Sequence, residues 1–131
     1  MIFVDTNVFM YAVGRPHTLK QPARNFFFEA QQNRIPLCTS AEVLQELVHA
    51  YLPVGRPRVF DAALALISSF GIEVWPLEGA DVEFARRLHE LHPTLHPRDL
   101  CHMASCRRHG VREMKTFDRD LANVFSGSSS P

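Results

Sequence analysis

The chain alternates short, wholly apolar runs with longer stretches in which apolar residues recur every three or four positions. Ile2-Phe3-Val4 is apolar throughout and ends at Asp5, which predicts a strand covered on both faces, as in a parallel sheet. Asn7 to Val13 predicts a short helix, stopped by Gly14 and Pro16. His17 to Asn33 predicts a second, with Leu19, Ala23, Phe26, Phe27 and Ala30 on one face. Ile35 to Cys38 reads as a second strand, and Thr39 opens a helix to about Leu52, ahead of Pro53. Pro57 to Phe70 is helical in period, with Val59, Ala62, Ala63, Leu66 and Ile67 on one side, and Gly71 ends it. Ile72 to Trp75 reads as a third strand and Glu78 to Leu91 as a helix ending near Pro93. Pro97, at a first-turn position, opens a helix to Gly110. Val111 to Lys115 is a fourth, weakly patterned strand, and Arg119 to Val124 a short helix. The Gly/Ser/Pro-rich stretch 126–131 reads as a disordered tail.

Strands alternating with helices imply βαβ units and a parallel sheet with right-handed crossovers. Ligands of such sheets sit outside the carboxyl ends of the strands, so candidate chemistry belongs just after each strand. Four acids stand out. Asp5 directly follows the first strand and Asp118 comes three residues after the fourth. Glu46 lies in the helix after the second strand, and Asp99 in the first turn of the helix before the fourth. Taken singly, each has a plain structural reading: Asp5 and Asp118 as caps of the helices that follow them, Asp99 as a favourable charge on its helix dipole. Thr39-Ser40-Ala41-Glu42 matches a capping box in which Glu42 reaches back to the helix start. Glu46 lies one turn further in, among Val43, Leu47 and Ala50, where a carboxylate is costly unless something compensates it. Glu42 is therefore assigned to structure and Glu46 to function. Four converging acids repel one another, and divalent cations resolve that repulsion. Oxygen-only ligands suit Mg²⁺ or Mn²⁺ rather than Zn²⁺, and two-metal carboxylate sites are a general apparatus for phosphodiester hydrolysis.

In order and spacing, Ile2-Phe3-Val4-Asp5-Thr6-Asn7, Ser40 through Glu46-Leu47, Arg98-Asp99-Leu100 with Ala104, and Thr116-Phe117-Asp118-Arg119-Asp120 resemble the PIN-domain ribonucleases, specifically the VapC-type toxins of type II toxin–antitoxin systems. The resemblance runs from about Ile2 to Val124. It implies a PIN-like α/β/α sandwich with a parallel sheet of four or five strands, and assigns residues 1–125 to a nuclease domain. It implies catalytic, metal-binding acids at Asp5, Glu46, Asp99 and Asp118, with Asp120 beside or in place of Asp118. Asn7 and Thr116 match positions that support the site through hydrogen bonds. The implied activity is Mg²⁺- or Mn²⁺-dependent endonucleolytic cleavage of RNA, often tRNA or rRNA. The implied partners are a small VapB-type antitoxin and a second copy of the chain in a homodimer.

At 131 residues and 14.9 kDa the chain is one domain, and 46% apolar residues exclude global disorder. Lys plus Arg is 14 and Asp plus Glu is 14, so no strongly basic pI argues for nucleic acid. Distribution matters more than the sum. Arg15, Lys20, Arg24 and Arg34 face only Glu29 between positions 15 and 34, and eight basic residues meet four acids between 86 and 119. The segment 35–85 carries Arg56 and Arg58 against seven acids. Arg15, Lys20, Arg24, Arg98 and Arg119 are accordingly the candidates for holding RNA phosphates.

The remaining residue types add less. Cys38, Cys101 and Cys106 form no disulfide framework and read as buried free thiols of a reducing compartment. The first residues carry no basic segment, so no signal peptide is expected. No apolar run reaches the roughly 18 residues of a membrane span, and a cytoplasmic protein is expected. His89, His92, His96 and His102 cluster with Cys101 and Cys106, but the spacing fits no standard zinc site, and no partner marks a histidine as general base. Phe26-Phe27-Phe28 cannot all be buried on one narrow helix face, which leaves one as a candidate dimer or antitoxin surface. Two other functions compete. A catalytically silent PIN-like interaction module is expected to lose acids, and all four are kept. An aspartate-based phosphotransfer enzyme usually needs a second acid two residues after Asp5, where Asn7 stands.

Overall fold

In a computed structural model, which describes residues 1–128, the apolar runs assemble into one parallel sheet. The elements run β1 (Ile2–Val4), α1 (Thr6–Val13), α2 (Lys20–Gln32), β2 (Leu37–Ser40), α3 (Ala41–Tyr51), α4 (Pro57–Ser69), β3 (Glu73–Trp75), α5 (Gly79–Leu91), α6 (Pro97–Arg108), β4 (Glu113–Lys115) and α7 (Arg119–Ser128). The strand order is β3-β2-β1-β4, with Phe3 of the central strand opposite Cys38 on one side and Met114 on the other. This is an α/β sheet of four strands, the lower of the two expected numbers.

Right-handed crossovers from β1 to β2 to β3 carry α1 to α4 over one face. The return from β3 to β4 runs in the opposite direction and puts α5 and α6 on the other. Aromatic side chains mark each layer. Phe9, Phe27 and Phe70 form a chain of ring contacts at 5.5 and 5.7 Å, whereas Phe3 meets Trp75 at 5.8 Å and the His102 ring at 5.5 Å. Phe3, Phe9, Phe27, Leu47, Leu88, Met103 and Leu121 are fully buried.

Several local expectations shift. Strand β2 starts at Leu37 rather than Ile35, because Arg34 takes a left-handed conformation (φ 56°) and Ile35 is left exposed. Thr39 is the third residue of that strand, and its hydroxyl donates to the Val4 carbonyl at 2.9 Å. Helix α3 is capped instead by Ser40, whose Oγ accepts from the Val43 N–H at 3.3 Å. Glu42 then sits one position too early for the expected capping box. A capping box does form at α5, where Asp81 Oδ2 accepts from the Glu78 N–H at 2.9 Å. Ala62 faces solvent rather than the core.

Phe27 is buried, Phe26 half-buried and Phe28 60% exposed. Cys38 and Cys106 are buried free thiols and Cys101 is half-buried; burial pushes Cys38 up to about 12. Helix α7 continues to Ser128, three residues into the expected tail, and 129–131 lie outside the described residues. Among the described residues, no helix is long and apolar enough to cross a membrane.

Candidate active site

The chain steps from β1 outward to β3 and then returns to place β4 against the free side of β1. The loops after β1 and β4 therefore open into one crevice, the switch point where such sheets bind ligands. Asp5 leaves β1 and caps α1, its Oδ1 accepting from the Thr6 N–H at 2.8 Å. Its Oδ2 accepts from the Thr116 hydroxyl at 2.7 Å, and its own N–H donates to the Lys115 carbonyl at 3.0 Å. The Asn7 carboxamide ties the same loops together: Nδ2 donates to Thr116 Oγ1 at 3.1 Å and lies 3.4 Å from Asp5 Oδ2, while Oδ1 accepts from the Phe117 N–H at 3.1 Å. Asp5 is only 4% exposed. Burial raises its pKa against the opposing pull of His102, Thr116 and the Thr6 N–H.

Glu46 approaches from the middle of α3. Its Oε2 accepts from the Thr6 hydroxyl at 2.8 Å, and its Oε1 meets His102 Nε2 at 2.7 Å. Burial works to raise its pKa, but the His102 bond and charge, the Thr6 bond and the Arg98 charge together bring it below the usual value. His102 is buried in α6, with Nε2 also 3.7 Å from Asp5 Oδ1. Burial alone would depress His102; the Glu46 bond and the Asp5, Glu46 and Asp99 charges outweigh it and raise the ring above its ordinary value.

Asp99 completes the cluster from the first turn of α6. Burial first, and then the Asp5 carboxylate with contributions from Glu46 and Asp118, push it up to about 6 against the pull of His102. One oxygen each of Asp5 and Asp99 and one His102 nitrogen lie within 4.8 Å of one another. A cavity of about 440 Å³ opens at the Glu46 and Asp99 side of this cluster, lined by Glu46, His96, Pro97, Arg98 and Asp99. Asp118 is exposed at the rim. Its Oδ1 caps α7 through the Leu121 N–H at 3.1 Å, its N–H donates to Thr116 Oγ1 at 3.0 Å, and its charge reaches Asp99. Asp120 is exposed in the first turn of α7, two residues beyond Asp118. Burial and the neighbouring carboxylates together keep the Asp99 pKa above its normal range, even with His102 beside it. The carboxylate oxygens, with one imidazole beside them, fit a divalent cation.

The PIN-domain family model matches residues 2–125. The chain is 55% identical over 125 residues to Ribonuclease VapC23 of Mycobacterium tuberculosis, covering 95% of this chain and 98% of that one. The chain belongs to the PIN-domain family, among the VapC ribonucleases. Ribonuclease VapC13 of the same organism is 38% identical over 119 residues, 91% of each chain. The fold matches the crystal structure of M. tuberculosis VapC20, a toxin that cleaves the sarcin–ricin loop, with a TM-score of 0.81 over 95% of each chain at 21% identity. It also matches VapBC2 of Rickettsia felis bound to a promoter DNA fragment, with a TM-score of 0.72 at 16% identity over 95% of this chain and 93% of that one. Membership makes the protein a VapC toxin ribonuclease of a toxin–antitoxin system and sets aside the aspartate-based phosphotransfer reading.

The basic candidates of this VapC ribonuclease separate into two groups. Lys20 Nζ donates to the Gly14 carbonyl at 2.7 Å and Arg24 Nε to the Ala12 carbonyl at 3.2 Å, so both answer open carbonyls at the C-terminal end of α1. Arg15, Arg98 and Arg119 are exposed, and Arg98 lines the cavity beside Asp99. Two residues in the cluster were not among the sequence candidates. Thr6 carries no signal beyond its place in Asp-Thr-Asn. His102 carries the same sequence signal as the other histidines, yet it lies three positions after Asp99, hence on the same face of α6.

Proposed function

We propose that this protein is an endoribonuclease that hydrolyses RNA phosphodiester bonds at the crevice between β1 and β4, using Asp5, Glu46, Asp99 and Asp118 with Mg²⁺ or Mn²⁺. The supporting observation is the convergence of Asp5, Glu46 and Asp99 from three separate elements, with one oxygen each of Asp5 and Asp99 and a His102 nitrogen within 4.8 Å of one another. Asp5 and Asp99 are the ligands nearest one another, with Glu46 and Asp118 flanking them. When bound, the cation neutralises phosphate charge and lowers the pKa of attacking water. The chain's own groups hold the carboxylates in place beforehand. Thr116 and the Thr6 N–H orient Asp5, while Thr6 Oγ1 and His102 orient Glu46. Such fixed dipoles need no reorganisation as charge develops on the phosphate. Arg98, exposed at the cavity edge, is placed to meet a phosphate oxygen.

A small VapB-type antitoxin is the natural partner, since similar folds include VapBC2 of R. felis and a toxin–antitoxin complex from Klebsiella pneumoniae. A homodimer and a cytoplasmic setting complete this reading, with tRNA or rRNA as substrate. The test is incubation of antitoxin-free protein with total cellular RNA in Mg²⁺, Mn²⁺ or EDTA, beside Asp5→Ala. Discrete fragments that require metal and vanish in the variant are expected. Intact RNA in both metals from folded wild-type protein, or undiminished cutting by Asp5→Ala, overturns the proposal.

A further inference from the structure

A second cavity, of about 490 Å³, shares Asn7 with the acidic cluster and extends along α1 between the 14–17 loop and the C-terminal end of α3. Its chemistry is the reverse of its neighbour's. Tyr11, His17, Tyr51, Arg15 and Arg56 line it, and among the described residues no Asp or Glu does. The Tyr11 ring lies 4.7 Å from the His17 ring and stands edge-on to Phe117 at 5.6 Å. Phe117 is the residue whose N–H is held by Asn7, so the aromatic wall is anchored to the loop that carries Thr116. The Arg56 guanidinium lies over the Tyr51 ring at 5.6 Å.

The cavity is preformed. Lys20 Nζ pins the Gly14 carbonyl, and His17 Nδ1 accepts from the Leu19 N–H at 3.0 Å. Gly14 sits so close to α1 that a Cβ there would fall 2.5 Å from the Met10 carbonyl oxygen. Aromatic faces beside guanidinium groups, with no competing carboxylate, match an unpaired nucleotide: the base stacks and the arginines take its phosphate. The volume lies within the usual range for small-molecule pockets. Tyr11 is four residues past Asn7, about 6 Å along the helix, and Asn7 itself both lines the cavity and reaches Asp5, so the cavity adjoins the acidic cluster.

We propose that this cavity binds one unpaired nucleotide of the RNA substrate next to the scissile phosphate, with the base against Tyr11 and His17 and the phosphate at Arg15 and Arg56. This inference rests on the ribonuclease reading above. The test uses an oligoribonucleotide spanning a site cut in total RNA, and the same strand with a single abasic residue at each flanking position in turn. One abasic position is expected to lower kcat/KM about tenfold or more. Tyr11→Leu and Arg56→Gln, each checked for fold by circular dichroism, should lower kcat/KM on the intact strand comparably, mainly through KM, and should then show little further loss from that abasic residue. Should Tyr11→Leu fail to fold, Arg56→Gln carries the comparison alone.

Equal cutting of every abasic strand by wild type overturns the proposal and leaves the nuclease standing. Normal cutting of the intact strand by both variants does the same, and weaker antitoxin binding by those variants would then assign the cavity to a protein segment. Absence of any metal-dependent RNA cleavage by wild type removes the ribonuclease reading, and the nucleotide site with it.

Discussion

Asp99→Asn should stabilise the metal-free protein while abolishing cleavage. The carboxyl is raised from 3.8 to about 6 by burial and by the acids around it. Between about pH 4 and pH 6 the folded chain therefore holds a proton that the unfolded chain has released. Stability is lost as pH rises through that window and stays lost above it. A shift of about two units corresponds to about 3 kcal/mol at neutral pH. Asp99 is only half-buried, and solvent screening brings the expected gain of the variant to about 2 kcal/mol, falling to about half of that near pH 5. Urea unfolding in EDTA reads this directly through the single tryptophan, Trp75, which is 4% exposed and stacked on His109 at 3.8 Å. Added Mg²⁺ should raise the stability of the wild type more than that of the variant, because it binds the folded carboxylates in preference to the unfolded chain. An Asp99→Asn protein less stable than wild type in EDTA at neutral pH, or a gap that does not narrow toward pH 5, would refute the account of Asp99 as a carboxyl held up by burial and its acidic neighbours.

Thr116→Val removes the donor to Asp5 and the acceptor for Asn7 while keeping shape, and should cost about 2–3 kcal/mol in urea unfolding and at least about tenfold in kcat/KM; an effect below about 0.5 kcal/mol would contradict the stitching role. Ser40→Ala should lower stability by about 1 kcal/mol and Glu42→Ala by less than about 0.5, read as thermal melting shifts, since Ser40 rather than a Glu42 box caps α3; the opposite ranking would restore the box. His102→Phe deprives Glu46 of its 2.7 Å partner. It should cost about 2 kcal/mol of stability and raise the Glu46 pKa, seen by carboxyl NMR titration; an unshifted Glu46 would show that the pair is unimportant.

The order of elements was legible in the sequence because it depends on local signals. Apolar runs of three or four residues, helical periodicity and Gly or Pro stops placed β1, β3, α1, α4 and α6 close to where they form. The rule that parallel sheets bind ligands at strand ends points to Asp5 and Asp118, the apolar neighbours of Glu46 single out that carboxylate, and the full set with Asp99 comes from the family resemblance. Tertiary structure decided the rest. Thr39 matched a helix-start motif, but a hydrogen bond to the neighbouring strand drew it into β2 and shifted the cap by one residue.

Lys20 and Arg24 looked like free charges until α2 packed against α1 and gave them backbone carbonyls to hold. His102 resembled its neighbours in sequence, yet it alone of those four histidines lies buried against both Glu46 and Asp5. Local propensity acts within a few residues and can be read along the chain. The partner of a buried polar group is set by strand order and helix packing, which bring together positions as far apart as Asp5 and Thr116. The sequence determined which residues could do the chemistry, and only the folded sheet, by placing β1 between β2 and β4, determined which of them meet.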